Sequence, residues 1–430
     1  MKYHSLNNTA PKVSFKEAVI SGIAPDRGLY FPEIITPLPS SFFSGIEKLS
    51  KFEIALEAIC PFVGDTIPED ILKGILSKVL DFDFPLIPIE ENVSTLELFH
   101  GPTMAFKDVG ARFMAQCLGY FSTANDGEVT VLVATSGDTG GAVANGFLGV
   151  TGVNVVILYP KGKVSDIQER QLTTLGQNIT ALRVDGTFDD CQDMVKTAFL
   201  DRSITEKRKL TSANSINVAR WLPQMFYFLF AYQQAQSNGR EIVFSVPSGN
   251  FGNICAGMMA QRLGMPVSHF IAATNVNDTI PRFMASSTYD PSPTQPTISN
   301  AMDVSDPSNF VRIRHLYGTD FQRLGQHLTA YSFTDKETKE AMQDLHHHYG
   351  YMADPHGAVG YLGLKKYQEA HPNTHGIFLE TAHPIKFLPV VSKVLGVAPH
   401  MPPQIQKVMK REKTFIDITN YEELKDFLLT

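Results

Sequence analysis

Lys107 stands in the stretch LELFHGPTMAFKDVGAR, Leu96 to Arg112, between Phe106 and Asp108. His100-Gly101-Pro102-Thr103 reads as a turn, because proline fixes φ and glycine accepts φ > 0. Thr103 is placed to cap a helix whose positions Ala105, Val109, Phe113 and Cys117 recur at helical spacing. Lys107 then falls in the first helical turn, where the helix dipole disfavours an ammonium. That place suits a lysine whose pKa must drop so that its amine becomes a nucleophile, as Schiff-base chemistry requires. A surface lysine beside an exposed aspartate is the plainer reading, and the rest of the chain has to decide between them.

Two further stretches share one construction: an apolar strand, Ser-Gly, polar residues, Gly, then a helix. They are Thr135-Ser136-Gly137-Asp138-Thr139-Gly140 and Ser248-Gly249-Asn250-Phe251-Gly252-Asn253. Each aims backbone N–H groups of a turn and a helix start at one spot, which suits an anion. Neither has the lysine spacing of a P-loop or the glycine spacing of a dinucleotide fingerprint. A third cluster, Asn214-Ser215-Ile216-Asn217 followed by Arg220, offers amides, a hydroxyl and a guanidinium at a helix start. Thr381 follows an apolar strand and precedes His383-Pro384; its hydroxyl could cap a helix or face a ligand. His346, His347 and His348 are consecutive, so on a helix they diverge, and no metal is expected.

The elements that carry these residues alternate. Apolar runs at Val129–Ala134, Val153–Leu158, Ile179–Val184, Glu241–Val246, Val267–Ala273 and Gly376–Leu379 are separated by helical patterns. That is the signature of parallel sheets covered on both faces, whose ligands bind at the carboxyl ends of strands. Residues 1–90 read as a small, mostly helical N-terminal domain ending in a linker near Pro88. Residues 91–400 read as the α/β core and 401–430 as a C-terminal extension. Residues 285–310, rich in Ser, Thr and Pro, read as a long surface loop.

The chain has 430 residues, enough for two or three domains, with 43% hydrophobic and 19% charged residues. A net charge of −7 argues against nucleic acid or an anionic membrane as the main partner. The four cysteines have no paired spacing, the N-terminus has no apolar signal region, and no run is long enough to span a membrane. A cytoplasmic location is the expectation.

Taken together, DRGLYFP, LELFHGPTMAFKD, TSGDTG, NSINVAR and SGNFGN resemble the threonine synthase family, fold type II pyridoxal-phosphate (PLP) enzymes of the tryptophan synthase β-like class. The resemblance spans essentially the whole chain and implies two parallel-sheet α/β domains plus the N-terminal domain. It implies that Lys107 is the PLP lysine and the catalytic residue, a general base at Cα and Cβ, and that Ser248, Gly249, Asn250, Phe251, Gly252, Asn253 and Thr381 bind PLP, with Thr381 at the pyridine nitrogen. It further implies that Thr135, Ser136, Gly137, Asp138 and Thr139 meet the substrate carboxylate, and Asn214, Ser215 and Arg220 its phosphate. Arg27 stands where a glycine is common in that family, and Asp138 where many fold type II enzymes have asparagine. The implied reaction, that of a carbon–oxygen lyase acting on phosphates, turns O-phosphohomoserine and water into threonine and inorganic phosphate, in a monomer or homodimer. The residues themselves leave two other readings open: a PLP lyase for another phosphorylated amino acid, or a non-catalytic protein binding a phosphometabolite.

Overall fold

The computed structural model describes residues 1–122, 128–235, 239–318 and 321–430. Two sheets dominate. One holds five parallel strands in the order Ile416–Ile418, Ile179–Val184, Val153–Pro160, Val129–Ala134, Lys209–Ser212. The other runs Leu328–Ser332, His269–Thr274, Glu241–Pro247, Thr374–Glu380, Val93–Glu97, Leu86–Glu90, all parallel except the last. Their central strands are apolar on both faces, and Val129–Ala134 is buried at every position, as burial under helices on both sides demands.

The stretch expected to be a linker near Pro88 is the antiparallel edge strand. Pro88 is exposed there, beside a register irregularity, a position where a missing N–H costs no ladder bond. The N-terminal region is less purely helical than its pattern suggests. Lys2–Ser5, Val13–Ser14 and Tyr30–Pro32 form a small antiparallel sheet beside helices Phe15–Ser21, Lys51–Val63 and Glu69–Val79. Strands this short carry no readable alternation. Arg27 adopts φ 64°, the left-handed conformation that glycine takes without cost. The N-terminal helices share one continuous apolar core with the Lys107 helix and the Trp221–Ala231 segment.

Near the C-terminus, Ile416–Ile418 completes the five-stranded sheet, and the helix Tyr421–Leu429 buries Leu424 and Leu428 against it. Of residues 285–310, the first stretch, 285–296, is exposed throughout, whereas in the second only Asp306 and Ser308 are. From residue 297 on they turn inward, with Ser299, Met302, Ser305 and Asn309 buried. Thr135, Ser248 and Thr381 all lie just past the carboxyl ends of their strands.

Candidate active site

Lys107 is the first residue of the helix Lys107–Phe121. The expected Thr103 cap is absent: the residue at the helix start is Phe106, with no side-chain cap. Asp108 competes for Thr103 instead. The Thr103 hydroxyl donates to the buried Asp108 carboxylate, and the Thr103 N–H reaches its other oxygen at 2.9 Å. The lysine segment is stitched to the segment carrying Thr381. Phe106 N–H donates to Thr381 O at 2.8 Å, His383 N–H to Met104 O at 3.1 Å, and Ala105 bridges Ala382. The Tyr227 hydroxyl, on the helix Met225–Gln234, donates to the Phe106 carbonyl and fixes the residue before Lys107 from the other side. Met104 takes φ 60°, a strained choice for a side chain that cannot bond its own backbone.

Burial lowers the Lys107 amine to about 8; Arg220 and Lys386 push the same way and Asp138 opposes them. Lys386, wholly buried, pairs with Asp138 at 2.7 Å and donates to Thr103 O at 2.8 Å. Gln168 Nε2 donates to the same Asp138 oxygen at 2.9 Å. Burial alone would raise the Asp138 carboxyl, but Lys386 and Lys107 outweigh it and hold it at about 2. Asp138 is therefore an anion neutralised within the protein. Thr135 turns its hydroxyl into its own loop, accepting from Gly137 N at 3.0 Å and Gly140 N at 2.8 Å. The amides of Ser136, Asp138 and Thr139 keep no partner among the described residues.

The second turn is more open still. Among the described residues, none of the N–H groups of Gly249, Asn250, Phe251, Gly252 and Asn253 has a hydrogen-bond partner, although four of these five residues are buried. Buried donors are almost always satisfied, so five consecutive open ones call for an anion. The side chains brace the turn. Ser248 Oγ donates to Val246 O at 2.8 Å and Asn253 Nδ2 to Pro247 O at 2.9 Å. Phe251, at φ 59°, buries its ring against Phe310. Asn250 accepts from Asn309 Nδ2 at 3.1 Å and from Ser308 N at 2.6 Å. Gly249 has no room for a side chain: a Cβ there would lie 2.8 Å from Met302 Cα and 2.9 Å from Ala301 O.

Arg220 is the third residue of the helix Val218–Trp221, which Asn217 caps through Ala219 N at 3.0 Å. The helix continues through a tight turn at Pro223 into Met225–Gln234. Arg220 is 2% exposed. One of its nitrogens donates to Ala213 O, its Nε has no partner, and no carboxylate pairs with it among the described residues. Burial lowers this guanidinium to about 10, leaving it charged. Gly110, three residues beyond Lys107, lets the two helices touch: a Cβ there would lie 2.4 Å from Arg220 O. The side chains of Asn214 and Ser215 are partly buried and make no hydrogen bond among the described residues. Ser215 lies beside Gly252, so this segment adjoins the Ser248–Asn253 turn. Arg312, also buried without a carboxylate partner among the described residues, braces both, donating to Ile216 O at 2.6 Å, Asn309 Oδ1 at 2.7 Å and Tyr30 O at 2.9 Å.

Thr381 is 7% exposed and its hydroxyl bonds to nothing among the described residues; the cap at that bend is the His383 ring, which accepts from Ile385 N at 3.1 Å. Sequence reasoning missed Lys386, Tyr227, Gln168, Gly110 and Arg312. A buried lysine three residues after His383 is indistinguishable by spacing from an exposed one, and the others act only through partners far away in sequence.

Comparison with known proteins agrees with the geometry. Residues 93–377 match the family model described as "Pyridoxal-phosphate dependent enzyme", residues 2–80 the "Threonine synthase N terminus" and residues 357–428 "Threonine synthase, C-terminal". The threonine synthase of Escherichia coli K12 is 44% identical over 94% of each chain. A crystal structure of threonine synthase from Escherichia coli superposes with a TM-score of 0.92 at 41% identity, covering 100% of this chain and 99% of that one. PLP-bound threonine synthase from Brucella melitensis superposes with a TM-score of 0.94 at 33% identity over the same shares. The chain belongs to the threonine synthase family of pyridoxal-phosphate-dependent enzymes.

Proposed function

We propose that the chain converts O-phospho-L-homoserine and water to L-threonine and phosphate, by γ-elimination followed by addition of water at Cβ, with the following roles for its residues. Bound pyridoxal phosphate supplies an electron sink for negative charge that develops at the substrate Cα. The residues present fit it: a lysine amine of lowered pKa, a cradle of open amides and a hydroxyl without a partner.

Lys107 binds the cofactor and then moves protons at Cα and Cβ. With a pKa of about 8, its neutral fraction at pH 7 is about 300-fold that of a lysine at 10.5. The amides of Gly249–Asn253 bind the cofactor phosphate, and Thr381 offers its hydroxyl to the pyridine nitrogen. The open amides of Ser136, Asp138 and Thr139 bind the substrate carboxylate. The Asp138 side chain, already paired with Lys386, repels a carboxylate less than a bare anion would. Asn214, Ser215 and Arg220 bind the substrate phosphate, Arg220 by charge-assisted hydrogen bonds in a water-poor setting.

One observation carries this reading: besides the Ser136–Thr139 amides, the site holds two separate receptors suited to phosphate, five open amides in one turn and, on a helix, a buried guanidinium with no carboxylate partner among the described residues. One phosphate on the cofactor and a second on the substrate account for both. The test is release of threonine and phosphate from O-phosphohomoserine, set against O-phosphoserine and O-phosphothreonine. Preference for either alternative substrate refutes the assignment.

A further inference from the structure

A buried chain of polar groups outside the roles just described joins the two ends of the cofactor site. It starts at Glu380, the residue before Thr381. Glu380 is wholly buried, and its Oε1 accepts from Asp354 N at 2.5 Å. Asp354 caps the helix Pro355–Gln368, accepting from Gly357 N at 2.7 Å through one oxygen. Its other oxygen meets His356 Nδ1 at 2.8 Å. His356 Nε2 in turn accepts from the Ala301 N–H at 3.1 Å. That last bond fixes the tautomer: Nε2 is the acceptor, so Nδ1 carries the proton and donates it to Asp354. The ring is 3% exposed and lies 4.8 Å, centroid to centroid, from Phe387, next to Lys386.

Ala301 and Met302 are the atoms packed against Gly249. We propose that His356 is a positioning residue: it hangs the Ala301–Met302 segment against Gly249 of the cofactor-phosphate turn from the start of the helix Pro355–Gln368, whose cap residue Asp354 is itself held through its N–H by Glu380, the strand-end residue before Thr381. The inference rests on the reading of Ser248–Asn253 as that turn. The helix Pro355–Gln368 thus sets the separation between the hydroxyl for the pyridine nitrogen and the amides for the phosphate. Other ties keep the segment folded without His356: Thr297 N to Asp303 at 3.0 Å, Asn275 Nδ2 to Asp303 at 2.9 Å and Ile298 N to Asp335 at 3.2 Å.

Two substitutions split the two bonds of the ring. In His356→Gln the amide oxygen occupies the place of Nε2, keeping the acceptor for Ala301 and losing the donor to Asp354. In His356→Asn the amide occupies the place of Nδ1, keeping Asp354 and losing Ala301. Two readouts are taken on the holoenzyme: amide hydrogen exchange at Ala301–Met302 and the PLP dissociation constant. Expected is faster exchange and about 2- to 12-fold weaker PLP binding in the Asn variant, the fold-change of one lost hydrogen bond. The Gln variant should stay close to the parent in both. Equal damage in the two variants, or unchanged exchange in His356→Asn, overturns the proposal. Gly249→Val separates this from failure of the underlying reading. If that variant loses PLP while His356→Asn exchanges faster yet binds PLP normally, the anchor idea fails. If both bind PLP normally, the reading of the turn fails and the proposal falls with it.

Discussion

Replacing Lys386 by methionine tests the electrostatics of the site at its least obvious member. Methionine keeps most of the volume of the stem and removes the charge. In the parent, the Lys386 ammonium is wholly buried, 2.7 Å from Asp138, and the carboxylate is 5% exposed. Among the described residues, Gln168 is then left as the one hydrogen-bond donor to that carboxylate, at 2.9 Å. Removing one partner of a buried pair costs about 3–5 kcal/mol, because the other charge stays desolvated and unpaired. Urea unfolding of the apoprotein measures this free of cofactor linkage. The pH dependence has a definite sign. Parent Asp138, held at about 2, stays ionised at pH 5 to 7. In the variant, burial dominates and raises that carboxyl, so the deficit is largest at neutral pH and shrinks as pH falls and the carboxyl takes up a proton. Lys107 responds too. Lys386 is among the charges that lower its amine, and an unpaired Asp138 attracts its ammonium more strongly, so both changes raise the Lys107 pKa. The ascending, acidic limb of kcat against pH, set by deprotonation of Lys107, should move to higher pH. Lys386→Met with Asp138→Asn should recover most of the lost stability, since no bare charge remains. A single variant that costs under about 1 kcal/mol, or a double variant no more stable than the single, refutes this reasoning.

Three further outcomes follow from the same geometry. Gly249→Val should abolish or severely weaken PLP binding, because its Cβ would lie 2.8 Å from Met302 Cα; titration of the apoprotein with PLP checks it. Thr381→Val should retain PLP and slow threonine formation about 2- to 12-fold, the effect of one hydrogen bond at nearly constant volume, and full activity would return Thr381 to a structural part. Capture of PLP by the apoprotein should accelerate with pH and level off near 8, as Lys107 sheds its proton; a rise continuing beyond pH 10 would mean that burial does not lower this amine.

The sheets and the turns at their carboxyl ends were legible because they are written locally. Val129–Ala134 is apolar but for Thr130, and the Ser-Gly turn after it lies within a few residues. Lys107 was legible for the same reason, as a lysine at the start of a periodic helix. Its cap was not. Thr103 has the right type and place, but Asp108 takes its hydroxyl, and two nearby polar groups can pair in more than one way. The N-terminal sheet escaped notice because a two-residue strand such as Val13–Ser14 has no period. Lys386, Tyr227 and His356 escaped notice for a different reason. Each draws its significance from a partner contributed by another element: Asp138, Phe106 and Ala301. Residues 297–310 look polar enough to be solvated, yet the side chains of Thr297, Ser305 and Asn309 turn inward to bond Asn275, Asn277 and Asn250.

The central claim is that cofactor phosphate and substrate phosphate occupy different receptors, the Gly249–Asn253 amides and Arg220. Arg220→Ala tests it most directly. Losing one side of a buried charge-assisted contact costs on the order of 2–5 kcal/mol, or about 30- to several-thousand-fold in kcat/KM. The purified variant should therefore keep the yellow colour and visible absorbance of bound PLP, while its kcat/KM for O-phosphohomoserine falls within that range. A colourless variant would assign Arg220 to the cofactor, and a yellow one with parental turnover would remove the substrate phosphate from Arg220; either result contradicts the account.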